Sequence, residues 1–118
     1  MQEKRVEKST VQTVDFIGEQ DGVPERDLKA QLSVCFSRRK LECRAYLVQV
    51  NYPAERQTRV ALCLIGISDD TELGFEIGAI FAKMFSNNDF LDTIYITPDQ
   101  EILVGQVAKP FYRGPNKG

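Results

Sequence analysis

The stretch CRAYLVQVNYPAERQTRVALCLIGIS, residues 43–68, decides the fold of this chain. Its first part, Cys43–Tyr52, alternates as a β-strand does. One face of this predicted strand carries Tyr46, Val48, Val50 and Tyr52, and the other carries Ala45 and Leu47. Its last part, Arg59–Ser68, is apolar on both faces, which is typical of a central strand covered on both sides. Pro53 and polar residues 54–58 form a turn between the two strands, so we expect a β-hairpin.

Two amphipathic helices flank the predicted hairpin. The first begins near Pro24, a residue suited to the first turn of a helix because its missing N–H costs nothing there. Its apolar face follows at helical spacing and consists of Leu28, Leu32, Cys35 and Phe36. The second helix spans Asp70–Asn87, and its apolar face consists of Leu73, Ile77, Ile80, Phe81 and Met84.

Three further strands complete the predicted order. The first is Thr10–Ile17, and the last two are Leu91–Thr97 and Glu101–Ala108. A turn at residues 97–100, with Pro98 at a favoured turn position, joins the last two strands. The order β-α-β-β-α-β-β predicts an α+β fold, with a mixed five-stranded sheet and two helices packed on one face.

Composition and charge limit the functions open to the chain. It has no histidine, the usual general base near neutral pH and the commonest metal ligand. Lys and Arg number 15 against 17 Asp and Glu, without the basic surface typical of nucleic-acid binding. The longest apolar stretch, Val60–Ile67, is too short to span a bilayer. We therefore expect a non-enzymatic single domain over residues 1–118, with residues 1–10 and 114–118 disordered. It would hold no metal or cofactor and bind neither nucleic acid nor membrane.

The three cysteines, Cys35, Cys43 and Cys63, lie inside apolar runs. Their odd number and placement argue against a disulfide framework and suit a cytoplasmic protein. The main interpretation is that all three are buried, inert thiols. The alternative is a redox or nucleophilic thiol, which needs a lowered pKa, and only Arg44 beside Cys43 offers a neighbouring charge for that.

Two charged clusters each have a structural and a functional interpretation. Asp69 and Asp70 come just before the second helix, where carboxylates cap free N–H groups. The alternative for them is a cation site or an acid–base pair. Arg38, Arg39 and Lys40 fall where the first helix ends, and cations complement the helix dipole there. The alternative for these three is a patch for phosphate or for an acidic partner.

The segment Lys109–Arg113 brings two aromatic residues together after the last predicted strand. In the structural interpretation Phe111 closes the core and Tyr112 lies against a sheet edge with its hydroxyl group satisfied. In the functional interpretation both are anchors of a binding surface, where aromatic residues are favoured. That surface would also include Tyr46 and Gln49.

Five short motifs follow one another in an order known from a protein family. They are FIGEQ at residues 16–20, Pro24 with the Leu28/Leu32 helix, RAYLVQ at residues 44–49, the strand Val60–Gly66 with Asp69 and Asp70, and the terminal Pro110-Phe111-Tyr112. This ordered set resembles the C-terminal domain of the SseB family, named for enhanced serine sensitivity in bacteria, over residues 11–113. The resemblance implies a bacterial, cytoplasmic, non-catalytic protein linked by name to serine metabolism or tolerance. It supplies no catalytic residues, and this sequence has no counterpart of the family's N-terminal domain.

Three functions stay open from the sequence. The leading one is a protein-interaction or accessory module with an unidentified protein partner. The second is a small-ligand sensor for an amino acid, in which Arg44 takes the carboxylate and Asp69 or Asp70 takes the ammonium group. The third is an immunity protein that neutralises a toxin, suggested by the small size and the acidic pI of about 5.2.

The last expectation concerns assembly. Gly74, Gly78 and Ala82 form a stripe of small residues on the second helix. Because glycine inside a helix costs about 1 kcal/mol relative to alanine, close packing on the sheet or on another subunit would explain it. Two helices on one side leave the other sheet face open, so we expect a homodimer paired through that face or an edge strand. The alternative is a monomer in which the N-terminal residues or residues 110–112 cover the face.

Overall fold

A computed structural model describes residues 14–85, 89 and 91–114. Its strands and helices in chain order are β1 (Asp15–Glu19), α1 (Val23–Arg38), β2 (Arg44–Tyr52), β3 (Gln57–Ile65), α2 (Thr71–Met84), β4 (Leu91–Tyr95), α3 (Pro98–Gly105) and β5 (Tyr112–Arg113). The described residues thus form a mixed five-stranded sheet and three helices, and the predicted α+β class is confirmed. No helix in this part of the chain combines the length and the apolar character needed to cross a membrane.

The predicted hairpin is confirmed and forms the centre of the sheet. Strands β2 and β3 pair in antiparallel fashion along their whole length, from Arg44 opposite Ile65 to Tyr52 opposite Gln57. The turn is shorter than the sequence indicated, because residues 53–56 alone lie outside the strands. On the far side of β3, β4 runs parallel to it.

The outer edge of β2 is shared by two short strands. Strand β1 pairs in antiparallel fashion with residues 48–51 of β2, with an irregularity between Phe16 and Gly18. Strand β5 pairs with Arg44 and Ala45 at the other end of β2. Strands β1 and β5, which come from opposite ends of the described chain, therefore pair with the same edge of β2.

Both faces of the sheet are covered. One face packs against α1 and α2, and its buried residues are Leu28, Leu32, Cys35, Phe36, Cys43, Ala45, Leu47, Leu62, Leu64, Leu73, Ile77 and Tyr112. The opposite face carries a second core, made of Tyr46, Val48, Val50, Tyr52, Ala61, Cys63, Ile65, Ile94, Ile96, Val104 and Ala108. Alternate residues of β3 enter each core, so the expectation that this strand is covered on both sides is confirmed.

The prediction of a strand at Glu101–Ala108 is wrong, because α3 occupies most of that segment. Thr97 is the N-cap: its Oγ1 accepts from the Gln100 amide at 3.2 Å, and the Gln100 Oε1 accepts from the Thr97 amide at 2.9 Å. This reciprocal pair is a capping box, with Pro98 in the first turn. The residues interpreted as a turn between strands are therefore the start of a helix.

Helix α3 also covers the sheet face that was expected to be open, which was one of the two surfaces expected to pair in a homodimer, the other being an edge strand. Val104 of α3 and Ala108 after it are both buried in the second core, against the side chains of β2 and β3. Residues 110–112 do not cover that face, because Tyr112 belongs to the core under α1. The fifth strand of the sheet is β5 rather than residues 101–108.

Other predicted bounds shift by a few residues. Strand β3 ends at Ile65 because Gly66 has a φ of +105°, and a side chain there would meet the Glu42 carbonyl oxygen at 2.9 Å. Gly114 belongs to the fold rather than to a tail, since its amide donates to the Cys43 carbonyl at 2.8 Å. The parts of the predicted β1, α2 and disordered ends that fall on residues 1–13, 86–88 and 115–118 lie outside the described residues.

Candidate functional site

A depression of about 660 Å³ lies at the carboxyl ends of the two parallel strands, β3 and β4. After β3 the chain crosses to α2 on one face of the sheet, and after β4 it crosses to α3 on the other. A crevice between such diverging connections is the usual ligand site of open α/β sheets. The lining residues are Arg44, Ile65, Gly66, Ile67, Ser68, Asp69, Asp70, Ile96 and Pro98.

The two aspartates of the depression have different surroundings. Asp70 is the N-cap of α2, and its Oδ1 accepts from the Leu73 amide at 3.0 Å, so the predicted capping role is confirmed. Asp69 is exposed and makes no hydrogen bond or ion pair with the described residues. Among those residues there is also no group of three or more Asp, Glu or Cys side chains that could hold a metal ion.

Arg44 is held in place by α3. Its Nε and Nη2 donate to the two carboxylate oxygens of Glu101, at 2.6 and 2.7 Å. The Tyr46 hydroxyl donates to the same carboxylate at 2.6 Å. Hydrogen bonds from Arg44 keep the pKa of Glu101 below its ordinary value, whereas burial and the Glu101 carboxylate raise the pKa of Tyr46 to about 12.

This arrangement determines the charge of the depression. The Arg44 charge is balanced by Glu101, so Asp69 and Asp70 leave an excess of negative charge at the rim. A simple anion is therefore disfavoured, while a group with an ammonium end meets open carboxylate oxygens. The guanidinium Nη1 of Arg44 has no bond to Glu101 and stays available as a donor for a carboxylate.

The sequence-predicted aromatic surface does not form as one exposed patch. Tyr46 is buried under α3, whereas Tyr112 is buried on the opposite face, with its ring 5.4 Å from that of Phe36. The Tyr112 hydroxyl donates to the Leu41 carbonyl at 3.0 Å. Phe111 is half-buried against the same core. The structural interpretation of the terminal aromatic pair is the one that the geometry supports.

The other three residues named from the sequence, Gln49, Asp69 and Asp70, lie apart from these aromatic residues. Gln49 is half-buried on β2, on the same face as Leu47 and away from Tyr46. Asp69 and Asp70 are exposed at the depression. The six residues named from the sequence therefore do not form one surface. Tyr46 lies under α3, Phe111 and Tyr112 lie together at the core under α1, Gln49 lies further along β2, and the two aspartates lie together at the depression.

All three thiols are buried, and burial is the largest influence on each. It raises the pKa of Cys35 and of Cys43 to about 11, and that of Cys63 to about 12. The Arg44 charge opposes this at Cys43 but is the smaller effect. The thiols are therefore protonated near neutral pH, which is the opposite of what a nucleophilic cysteine needs.

The basic cluster at the end of α1 has an acidic neighbour within the fold. The Arg39 Nε donates to the Glu76 Oε1 of α2 at 2.8 Å, and the Arg38 Nη1 lies 3.6 Å from the other Glu76 oxygen. Lys40 takes a φ of +57°, and the Leu41 amide bonds back to the Phe36 carbonyl. The cluster closes α1, as the structural interpretation expected, and its ion pairs with Glu76 also tie that helix to α2, which the sequence did not indicate.

A second surface, which sequence reasoning found only in part, lies on α2. We call it the α2 outer face, and it consists of Glu72, Gly74, Phe75, Gly78, Ala79, Ala82 and Lys83, all of them exposed. The Phe75 side chain is 75% exposed. A side chain added at Gly74 or Gly78 would meet nothing within 4 Å, so the small-residue stripe faces away from the sheet.

The signal for this surface was present in the sequence. Apolar residues occur all around α2, yet only Leu73 and Ile77 are fully buried. A helix that is apolar on every side is normally covered on every side. The stripe is apparent from the sequence, whereas Phe75 falls outside the apolar face that identifies the helix.

Comparison of this chain with protein-family models, with curated proteins and with solved structures finds no match in any of the three.

Proposed function

We propose that this chain is a non-catalytic interaction domain that binds a protein partner through the α2 outer face. The observation that carries the proposal is the position of Phe75, which is 75% exposed beside open backbone at Gly74 and Gly78. An exposed phenylalanine next to open helix backbone offers both the protruding and the receiving element of a packed contact. The small residues beside it would let a partner helix approach closely.

The chemistry of the other polar groups supports binding over catalysis. The thiols at positions 35, 43 and 63 are buried, and their pKa values are raised to about 11 or 12. The carboxylates of Glu76 and Glu101 are engaged in ion pairs with arginines. Each of these groups is thus committed to the fold.

The resemblance to the SseB C-terminal domain gives the proposal a cellular setting. On that basis the chain is a bacterial, cytoplasmic accessory protein, linked to serine sensitivity through its partner and not through a reaction of its own. The immunity-protein hypothesis stays a prediction of the same kind, with a toxin as the partner of the α2 outer face.

A comparison of two exposed apolar residues tests the proposed surface. Tagged copies of the 118-residue chain that carry Phe75→Ser, or Ile102→Ser on α3, are used to capture proteins from bacterial cytoplasm. Both residues are more than half exposed, at 75% and 64%, so neither change disturbs the core. We expect Phe75→Ser to lose partners that the wild type and Ile102→Ser retain. Equal capture by all three, or loss with Ile102→Ser alone, contradicts the proposal, and circular dichroism confirms that each variant is folded.

The depression at the strand ends favours a second candidate, a sensor of amino acids. Its lining brings Arg44 together with Asp69 and Asp70, which are the residues that the sequence named for the carboxylate and ammonium groups. Arg44 offers Nη1 to the ligand carboxylate, and the open Asp69 carboxylate accepts from the ammonium group. The volume of about 660 Å³ leaves room for a small zwitterion.

Isothermal titration calorimetry decides this second candidate. Serine and related amino acids are titrated to millimolar concentration into the wild type, Asp69→Asn and the control Asp27→Asn, which changes an exposed aspartate of α1. Heat of binding that is lost with Asp69→Asn alone supports the sensor. No heat with the wild type, or the same loss with Asp27→Asn, ends it.

A further inference from the structure

The α2 outer face carries one acidic and one basic residue at opposite ends. Glu72 lies in the first turn of α2 and Lys83 in the last. The ion pairs that α2 makes in the described part of the chain involve Glu76, so Glu72 and Lys83 have no charged partner there. Both side chains are exposed.

These two residues lie along one side of the helix. They are eleven positions apart in the sequence, and three turns of an α-helix take about 10.8 residues. The two side chains therefore point in nearly the same direction, separated by about 16 Å along the axis. Between them along the outer face lie Phe75 and Ala79.

If α2 of a second copy packs antiparallel against the α2 outer face, Glu72 and Lys83 each lie opposite a residue of opposite charge. A two-fold axis placed between Ile77 and Gly78 sets Glu72 of each copy opposite Lys83 of the other. The same axis seats each Phe75 over the small side chains of Ala79 and Ala82 in the other copy. Gly78, where a side chain would meet nothing within 4 Å, lies next to the axis and permits close approach of the two backbones. A parallel arrangement would instead set like charges opposite each other.

We infer that two copies of this chain pair through the α2 outer face as an antiparallel two-fold dimer, with reciprocal Glu72–Lys83 ion pairs. The inference rests on the proposed function, because it names a second copy as the partner of the same surface. Apolar contact of Phe75 with the small-residue stripe supplies the attraction, and the two ion pairs select the orientation. The dimer uses neither the sheet face, which α3 covers, nor an edge strand.

The test is a charge swap on the full 118-residue chain, read out by sedimentation equilibrium over a wide range of concentration. The wild type is expected to approach twice the 13.4 kDa mass of one chain. Because symmetry doubles each change, Glu72→Lys creates two Lys–Lys contacts and weakens the dimer by about tenfold or more. Lys83→Glu does the same with two Glu–Glu contacts. The double variant Glu72→Lys/Lys83→Glu restores both pairs, and its dissociation constant returns to within about threefold of the wild-type value.

Two controls separate pairing from folding. Asp27→Lys makes the same change in charge on the exposed side of α1 and leaves the dimer unchanged. The double variant places a lysine in the first turn of α2 and a glutamate in the last, which is unfavourable for the helix dipole of the monomer. Recovery of the dimer in that variant therefore cannot come from a more stable helix.

Either of two results overturns the inference. A mass of 13.4 kDa at every concentration excludes a second copy as the partner, while the capture experiment with Phe75→Ser still decides the proposed function by itself. A dimer whose affinity is indifferent to both single charge reversals shows that the copies pair elsewhere, for example along the outer edge of β4.

Discussion

Helices α2 and α3 follow neighbouring parallel strands, yet they are held to opposite faces of the sheet by different means. The longer helix, α2, presses Leu73 and Ile77 into the core under α1. The shorter helix, α3, buries Val104 alone and is tied down by Glu101, which accepts from Arg44 and Tyr46. A repeated apolar pattern thus anchors the long helix, whereas the short helix depends on its cap and on one polar cluster.

The solvent-exposed sides of α2 and α3 also differ. Each exposes large apolar residues, Phe75 on α2 and both Ile102 and Leu103 on α3. On α2 the exposed ring stands beside open backbone at two glycines and between an acidic and a basic residue, whereas α3 has one open glycine, Gly105, and no basic residue in its last turn. This is why α2 is proposed as the interaction surface.

The largest effect is expected from truncating the inner side of α2. Ile77→Ala should lower the free energy of unfolding by about 2–5 kcal/mol, because it leaves a cavity in a core where Ile77 is 2% exposed. Phe75→Ala on the same helix should change it by no more than about 0.5 kcal/mol. Urea unfolding at low protein concentration measures both. A loss above 2 kcal/mol for Phe75→Ala would mean that this ring is part of the monomer core after all.

The next effect concerns the polar anchor of α3. Glu101→Gln should cost about 1–3 kcal/mol, since hydrogen bonds from a buried tyrosine and an arginine lose their charged acceptor. The pKa of Glu101 is lowered in the folded state, so the stabilisation is present above the ordinary value of 4.5 and is lost as the pH falls through the lower folded-state pKa.

Denaturant unfolding at several pH values checks this prediction. The difference between the wild type and Glu101→Gln should be constant near neutral pH and should shrink below about pH 4.5. A difference that grows as the pH falls contradicts the assigned direction of the shift. Tyr46→Phe is a milder companion variant, which removes one hydrogen bond to the same carboxylate but keeps the ring.

The caps of the two helices should be nearly equal in strength. Asp70→Ala and Thr97→Ala each remove one N-cap acceptor, and each should cost about 1 kcal/mol. Because α3 has only eight residues, Thr97→Ala should also accelerate amide hydrogen exchange throughout that helix. Exchange that stays as slow as in the wild type would show that the cap is not what holds α3 in a helical form.

The smallest expected effect is a gain in stability. Gly78→Ala should raise the stability of the monomer by about 0.5–1 kcal/mol, because alanine favours a helix and nothing lies within 4 Å of the new methyl group. Thermal unfolding at low concentration measures the gain. A loss of stability would mean that the outer side of α2 is already covered within the monomer.

The sequence was sufficient for the parts of the fold that repeat a pattern. The β2–β3 hairpin follows from the alternation in residues 43–52 and the apolar run in residues 60–65. Helices α1 and α2 follow from apolar residues at helical spacing, and the Asp70 cap follows from its place before α2. These signals are local, because the side chains that share a face recur every two or every 3.6 residues.

The errors came from short segments in which no pattern has room to repeat. Residues 101–108 are apolar enough to form a strand. The capping box of Thr97 and Gln100 favours a helix instead, and it outweighs that tendency. Strand β5 has only two residues, Tyr112 and Arg113, and they form a strand because they pair with Ala45 and Arg44 of β2. The sequence could not place the aromatic residues Tyr46 and Tyr112 for a related reason: the face on which each ring is buried depends on the elements that pack against it and not on its neighbours in the sequence.

The class of fold, the central hairpin, the first two helices and the burial of the cysteines follow from the amino-acid sequence, since each rests on periodicity or composition. Three features depend instead on tertiary packing: α3 covers the second face, Tyr46 and Tyr112 are buried on opposite sides, and Phe75 is left exposed. Tertiary packing also joins Arg44 to Glu101, across 57 positions of the chain. Such contacts depend on which elements meet in space, and no local spacing of residues encodes that meeting.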